Sequence, residues 1–244
     1  MEVAVSGLTV RFGAVAALSS VSLAIASGER RALIGPNGAG KTTLFNVIAG
    51  EQRPAAGSVS LGGREATALP SWRRARLGLG RTFQRSTLFG QLTVADNLAL
   101  AIRARKRSGW RFWPGRDRDL ERELEERLGG AGLEAAARRR AAALGHGEQR
   151  RLEIELALAA APTALLLDEP MAGLSGAERQ AAVDRLRALP REVTLVIVEH
   201  DLDAVFALAE RISVLDHGVK IADGTPEEVR ADPRVQEVYL GHGT

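Results

Sequence analysis

Apolar and polar positions alternate along the first 25 residues of the chain. Val3, Val5, Leu8 and Val10, then Val21, Leu23 and Ile25, recur close to every second residue with Gly and Ser between them, so residues 2–12 and 18–25 are predicted as strands of a hairpin-like β region. The period then changes. Arg31-Ala32-Leu33-Ile34 is a short apolar strand running into Gly35, residues 42–49 have helical spacing, and Gly50 is placed to stop that helix. Residues 57–61 return as a strand and residues 70–77 as a short basic helix. From Thr93, a good N-cap, to about Leu144 the spacing is helical and the charge density rises, which predicts a helical lobe in the middle of the chain. Beyond it the pattern predicts a helix over 148–160, an all-apolar strand over 164–167, a helix over 177–189, a second apolar strand over 193–198, and a hairpin around His217-Gly218. Continuous apolar runs alternating with helices predict an α/β fold whose parallel sheet is covered on both faces.

Composition narrows the class without changing that picture. In 244 residues, 45% hydrophobic and 26% charged, there is room for one large domain or one domain carrying a lobe, and disorder, collagen and coiled coil are excluded. The longest apolar stretches, Val193 to Val198 and Leu156 to Leu167 with its interrupting Pro162 and Thr163, fall well short of the ~20 residues that span a bilayer. Met1-Glu2-Val3 has neither a basic nor an apolar leader pattern, so no signal peptide is expected and the chain is expected in the cytosol. With no cysteine, disulfides, thiolate chemistry and Cys-ligated zinc all drop out, and any metal is expected to be oxygen-bound. A formal charge of only +3 gives no reason to expect nucleic acid as a partner. Lysine stands only at Lys41, Lys106 and Lys220, which draws attention to the one inside a glycine-rich loop.

That loop, Gly35-Pro36-Asn37-Gly38-Ala39-Gly40-Lys41-Thr42, fits G-x-x-x-x-G-K-[ST] and lies after a strand and at the opening of a helix, where the pattern has a mechanism. At this chain's composition a chance match is expected roughly 0.003 times. Glycines at 35, 38 and 40 permit torsions and close approach that a Cβ would obstruct, so successive N–H groups can converge on phosphates at the helix N-terminus. Lys41 is expected to hold the β and γ phosphates and Thr42 to offer its hydroxyl to Mg²⁺. Further on, Asp168-Glu169 stands at the carboxyl end of an apolar strand, the edge of an open α/β sheet where ligands bind. There Asp168 can reach the magnesium, and Glu169 can orient and polarise an attacking water. The strand of residues 195–198 ends similarly in Glu199-His200-Asp201, and a lone histidine at that place reads, on the residues alone, as a cap or surface group more readily than a ligand.

Between these segments lie Arg81-Thr82-Phe83-Gln84 and Leu144-Gly145-His146-Gly147-Glu148-Gln149-Arg150-Arg151. With the four in this order the chain, from about residue 3 to about 240, resembles the nucleotide-binding subunit of an ATP-binding cassette (ABC) transporter. The resemblance implies a P-loop NTPase with a mostly parallel sheet, an N-terminal antiparallel β subdomain and an inserted helical lobe, residues 1–84 and 152–244 forming the RecA-like core with its β subdomain and residues 85–151 the lobe. It implies ATP and Mg²⁺ as ligands, held by Phe12 stacking on adenine, by residues Gly35 to Thr42 with Thr43, and by Gln84, which senses Mg²⁺ and the attacking water. Glu169 is then similar to the general base, His200 to the switch histidine on the γ-phosphate, and Leu144 to Gln149 to the signature loop, whose Gly145 and Gly147 contact ATP held by the other subunit. Implied partners are a second ATPase subunit, two membrane permeases and, indirectly, a solute-binding protein, with the chain at the cytoplasmic face of the inner membrane.

The wording Arg-Thr-Phe-Gln, Leu88-Phe89, Leu92 to Leu98, the extended lobe at 103–130, Gln149 to Ile154 and the ending Val238-Tyr239-Leu240-Gly241 is similar to the ATPases of branched-chain amino-acid importers. Lipopolysaccharide-exporter, urea and amide transporter ATPases are the alternatives within transport. A soluble ABC ATPase of the iron–sulfur assembly type is an alternative outside it, and a P-loop kinase is opposed by the signature segment. Two positions depart from the broad family pattern: Gly145 stands where a serine is usual, and Ser175 where an aspartate is usual. The basic and aromatic residues of 103–130, among them Arg103, Arg105, Trp110 and Trp113, read either as a solvated lobe or as a surface for lipid headgroups or a membrane subunit, the first being preferred.

Overall fold

The structure is a computed structural model, and residues 1–82, 88–106 and 118–240 are described. They divide into two compact units: residues 1–81, 163–169 and 189–240, and residues 82–162 with 170–188.

The first unit holds two sheets. The antiparallel one contains β1 (Val3–Phe12), β2 (Val15–Ile25), β4 (Ala56–Leu61) and β5 (Arg64–Glu65) in the order β2-β1-β4-β5. Val3, Val5, Leu8, Val10, Val21, Leu23 and Ile25 are all buried in it. The step from odd to even numbering between Val5 and Leu8 is a register shift in the β1–β2 pairing, with Gly7 at φ 59°, so the inward face is kept across the irregularity. The other sheet runs β10-β9-β3-β8-β7-β6, with β3 (Arg30–Ile34), β6 (Leu79–Arg81), β7 (Ala164–Asp168), β8 (Thr194–Val198), β9 (Arg211–Asp216) and β10 (Val219–Gly224). Its pairs are parallel from β9 to β6, and β10 closes the edge as the antiparallel arm of the expected hairpin.

β3, β7 and β8 are buried along their whole length, as continuous apolar runs in a covered parallel sheet must be. β3 nonetheless begins with two buried arginines. Arg31 donates to Glu29 at 2.6 Å, Asp223 at 2.7 Å, Ser213 at 2.9 Å and the Ala24 carbonyl at 3.2 Å, so its charge enters the interior paired and hydrogen-bonded. α1 (Lys41–Ala49) buries Leu44, Phe45, Val47 and Ile48 and ends at Gly50 in the left-handed region, φ 82°. Short helices α2 (Ser71–Arg76), α7 (Leu202–Leu208), α8 (Pro226–Ala231) and α9 (Pro233–Leu240) complete the unit. Register fixes the site: Asp168 lies beside Val198 and Leu33 beside Val198, so β3, β8 and β7 end together and deliver Gly35, Glu199-His200 and Glu169 to one edge.

The second unit is helical. Beside α6 (Gly176–Arg187), α3 (Val94–Lys106), α4 (Arg118–Ala131) and α5 (His146–Ala159) bury Val94, Leu98, Leu128 and Leu152 in one cluster with Leu133 and Leu144 of the connecting segments. Thr93 caps α3 as its sequence position predicts: its hydroxyl oxygen accepts from the Asp96 N–H at 3.1 Å. At its centre Glu155, fully buried, accepts from Arg185 Nε at 2.6 Å and Arg127 at 3.4 Å, which ties α4, α5 and α6 through one carboxylate. Among the described residues no helix is long and apolar enough to cross a membrane.

Candidate functional site

The loop from Gly35 to Gly40 depends on glycine at two positions in particular. A Cβ on Gly35 (φ 146°) would sit 2.0 Å from the Leu215 carbonyl oxygen, and one on Gly40 (φ 99°) 2.5 Å from the Ala17 oxygen, so both the torsion and the space exclude any other residue. Gly38, at φ 80°, needs glycine for torsion alone, because nothing lies near it. The loop folds on itself, Ala39 N–H donating to the Pro36 carbonyl at 3.2 Å, and its Ala39 carbonyl accepts from Gly218 N–H at 3.1 Å. Pro36 is partly buried, while Asn37 and Gly38 are exposed at the tip.

Lys41 is the first residue of α1 and is buried, with its Nζ donating to the carbonyls of Gly35 at 2.7 Å and Pro36 at 2.8 Å. Burial pulls the ammonium below the usual lysine range, and the carboxylates of Glu169 and Asp168 pull it part of the way back. That pairing places the acidic residues of β7 within electrostatic reach of the loop's lysine. Thr42 is exposed in the first turn of α1 and Thr43 half-buried behind it.

Asp168, the last residue of β7, is buried, with Arg81 Nη2 3.9 Å from its Oδ2. Glu169 follows in the left-handed region at φ 48°, a costly torsion for a residue with a side chain, and its N–H is anchored to the Val198 carbonyl at 2.8 Å. The turn aims its carboxylate away from the strand and onto His200, whose Nε2 is 3.0 Å from Glu169 Oε1. His200 is itself fixed by Glu199, a buried carboxylate that accepts from the His200 N–H at 2.9 Å. The histidine that its neighbours alone made look like a surface group therefore stands hydrogen-bonded to the acid of the other strand.

Phe12 closes β1 at the tip of the β1–β2 hairpin and is 54% exposed, a large aromatic left without cover. Gly40 touches Ala17 and Leu18 on that hairpin's second strand, so the aromatic tip belongs to the structure seated on the loop. In the helical unit, Gly145 is exposed just before α5 at φ −68°, its N–H donating to Glu148 Oε2 at 3.0 Å, and Gly147 is buried in the first turn. Ser175 caps α6: its N–H and hydroxyl donate to Glu178 Oε2 at 3.0 and 2.7 Å, and its Oγ accepts from the Glu178 N–H at 3.4 Å. Phe83 and Gln84 lie outside the described residues, as do Trp110 and Trp113 of the basic segment.

The oxygen donors at the sheet edge are the Thr42 hydroxyl and the Asp168 carboxylate, hard ligands of the kind Mg²⁺ takes. Among the described residues no three acidic or histidine groups gather into a protein-only metal site. Thr42 and Asp168 would be the residues to hold a Mg²⁺ here, and the ion would supply positive charge beside a bound phosphate.

Arg81 is a residue of this site to which the sequence reading gave no role. From the end of β6 it donates to Asn46 Oδ1 at 2.7 Å, pairs with Glu51 at 2.9 Å and lies over the Phe45 ring at 5.2 Å, joining α1 to the Asp168 strand. Its place in Arg-Thr-Phe-Gln was visible; that the segment pairs in parallel with β7, Arg81 beside Leu166, was not.

Comparison with known proteins shows the family and the fold. Residues 18–172 match the family model described as ABC transporter, and residues 219–244 the one described as branched-chain amino acid ATP-binding cassette transporter. The high-affinity branched-chain amino acid transport ATP-binding protein LivG of Salmonella typhimurium is 39% identical over 247 residues, covering 98% of this chain and 97% of that protein. The lipopolysaccharide export system ATP-binding protein LptB of Acidithiobacillus ferridurans is 38% identical over 224 residues, covering 91% of this chain and 89% of its own. Among solved structures, the ADP conformation of an ATP-binding cassette of an ABC transporter superposes with a TM-score of 0.84 at 29% identity, over 99% of this chain and 100% of that one. The antiparallel sheet, the mostly parallel sheet and the helical unit are those of a P-loop NTPase. A chain that matches the family model over more than half its length and aligns end to end with such a relative belongs to the ATP-binding proteins of ABC transporters, ATPases that bind and hydrolyse nucleotide to drive transport.

Proposed function

We propose that the chain is the ATP-hydrolysing subunit of an importer for branched-chain or other hydrophobic amino acids, working at the cytoplasmic face of the membrane as one of two ATPase subunits on a pair of permeases. The observation that carries the solute class is the match of residues 219–244 to the branched-chain model, alongside the name of the LivG relative.

In this reading ATP lies across the edge where β3, β8 and β7 end. Phe12 stacks on the base, the N–H groups from Gly38 to Thr43 surround the phosphates, and Lys41 exchanges the Gly35 and Pro36 carbonyls for β and γ phosphate oxygens. Thr42 and Asp168, with Gln84, hold Mg²⁺, which neutralises charge on the phosphates. Glu169 orients the attacking water and takes its proton; His200, 3.0 Å from that carboxylate, holds it in place and reaches the γ-phosphate side. Gly145 and Gly147, at the N-terminus of α5, serve the nucleotide held by the partner subunit. Without a serine hydroxyl at 145 that contact is left to backbone N–H groups, a loss of about 1.5–3 kcal/mol for a charge-assisted bond.

The permease surface follows from the stretch after Gln84. Leu88 packs partly into the helical core, whereas Phe89 is 57% exposed and Leu92 37%. Buried Asn97 holds this loop in place, accepting from Phe89 N–H at 2.9 Å and donating to the carbonyls of Phe89 at 3.1 Å and Thr93 at 2.9 Å. A fixed backbone displaying large uncovered apolar groups is a docking surface for a membrane-subunit helix. The test is pull-down with the permeases encoded beside this gene, followed by uptake of radiolabelled leucine. Phe89→Asp is expected to weaken assembly and uptake while the isolated subunit still hydrolyses ATP. Wild-type complexes that move lipopolysaccharide or urea and no amino acid contradict the importer reading.

A further inference from the structure

Glu178 takes no part in the chemistry of the sheet edge, and Ser175 has no task there beyond opening α6. Both belong to the contact between α6 and the first turn of α5, the turn that holds Gly147. The three heavy atoms nearest to the place of a side chain on Gly147 are Oε1, Cδ and Oε2 of Glu178, so the carboxylate fills the space that glycine leaves open. Its Oε2 accepts from the Ser175 N–H at 3.0 Å and the Ser175 hydroxyl at 2.7 Å, which leaves Oε1 turned toward Gly147. One turn further along α5 a second contact joins the same two segments, Arg150 Nε donating to the Pro170 carbonyl at 3.3 Å. The start of α5 is also held from within, by Glu148, which accepts from the Gly145 N–H at 3.0 Å and pairs with Arg139 at 2.8 Å.

A serine at 175 is what this clamp requires. Its hydroxyl accepts from the Glu178 N–H at 3.4 Å and at the same time gives its proton to Glu178 Oε2. An aspartate at 175 would cap the helix as well, but it has no proton to give and would set a second negative charge against the first. The Ser175 hydroxyl and N–H, with the Arg151 charge behind them, hold the Glu178 carboxyl below the ordinary glutamate range, so it stands ionised beside the positive end of α5.

We propose that Glu178 is a positioning residue for nucleotide binding across the dimer: clamped by Ser175, it sets the first turn of α5 and hence the stability of the ATP-bound dimer, and the serine at 175 acts within its own chain. The proposal rests on residues 144–149 being the segment that meets the partner's ATP. The test uses Glu169→Gln protein, in which ATP-bound dimers accumulate, and reads the dimer dissociation constant in ATP by analytical ultracentrifugation. Glu178→Ala is expected to raise that constant about tenfold and Ser175→Ala about fivefold, the loss of hydrogen bonds to a charged group. ADP binding by the monomer is expected to stay at the wild-type value, because the phosphate loop belongs to the other compact unit. Ser175→Asp is expected to weaken the dimer at least as much as Ser175→Ala. Gly147→Ala, whose Cβ collides with Glu178, is expected to be relieved by Glu178→Ala, the pair dimerising more tightly than Gly147→Ala alone. An unchanged dimer constant in Glu178→Ala, an equal loss of ADP affinity in its monomer, a tighter dimer in Ser175→Asp, or no relief of Gly147→Ala overturns the proposal. Gly145→Asp tests the segment itself, since the position has space and an ordinary torsion and a carboxylate there repels an incoming phosphate. If Gly145→Asp weakens the dimer while Glu178→Ala does not, the segment stands and the role of Glu178 falls. If neither does, the reading of the segment is wrong and the proposal goes with it.

Discussion

Two glycine-rich segments of this chain open helices, and the reasons for their glycines differ. In the phosphate loop Gly35, Gly38 and Gly40 all have φ in the left-handed range, and two of them press on backbone carbonyls. Glycine there is imposed by the fold. In the signature segment Gly145 has φ −68°, and a Cβ on it would find only Glu148 Oε2 at 3.9 Å, an ordinary contact. Neither torsion nor space demands glycine at 145. Gly147, two residues on, is constrained after all, since its Cβ would meet Glu178 Oε1 at 1.9 Å while that carboxylate is clamped by Ser175. The departure from the family pattern at 145 is thus separable from folding, whereas a change in the phosphate loop is not. The aspartate-to-serine departure at 175 has a structural use within the chain, as the cap of α6.

The comparison can be broken first at its chemical end. Glu169→Gln keeps the shape of the carboxylate but accepts no proton, and hydrolysis is expected to fall about 10²- to 10⁴-fold while ATP still binds and ATP-bound dimers accumulate. Steady-state phosphate release beside size-exclusion with ATP measures both; near-normal turnover removes Glu169 from the mechanism. Lys41→Ala is expected to act one step earlier, weakening nucleotide binding about 10- to 100-fold by deleting charge-assisted bonds to phosphate. Calorimetric titration with ATP reads that directly, and an unchanged Kd would detach the loop from the nucleotide.

The strand that delivers the loop offers a third test, through pH. Burial would raise the Asp223 carboxyl, but hydrogen bonds from Arg211, Arg31 and Lys220 and the Arg31 charge overcome it and hold the group at about 2, against 3.8 when unperturbed. A depressed folded-state pKa contributes stability that is fully present above about pH 4 and is lost as pH falls through 2. Asp223→Asn is therefore expected to cost about 2 kcal/mol at pH 7, the gap to wild type closing between pH 4 and pH 2 in chemical denaturation. The smallest effect is expected at the signature segment. Gly145→Ser should fold normally and hydrolyse ATP at the wild-type rate or up to a few-fold faster, as one added hydrogen bond allows. Complete inactivity in a folded Gly145→Ser protein would mean that this position is packed against something in the assembled dimer.

What was legible in the sequence follows the same division. The phosphate loop, its strand and its helix were readable because their causes are local: glycines where torsions demand them, an apolar run before, helical spacing after. The period-2 residues of β1 and β2 are buried as expected, and even the bulge left its trace in the step from Val5 to Leu8. β6 was missed because three residues, Leu79 to Arg81, become a strand only by pairing with β7 more than 80 positions away. α7 is short and stands on a single cap, Asp201 accepting from Ala204 N–H at 3.1 Å. α8 was legible and overlooked: Thr225-Pro226-Glu227-Glu228 spells a capping box with proline at the first turn. Arg81 acts on a residue far along the chain, Asp168, and no spacing rule connects the two.

The account's central claim is that the phosphate loop meets nucleotide within its own chain, and that the signature segment does so only on assembly. Hydrogen exchange separates the two, with wild-type monomer and ADP on one side and Glu169→Gln protein with ATP, which assembles, on the other. With ADP and the monomer, amides of residues 37–43 are predicted to gain protection while those of 144–149 do not; in the ATP-bound assembly both are predicted to be protected. Protection of 144–149 in the monomer, or its absence in the ATP-bound assembly, would contradict the account.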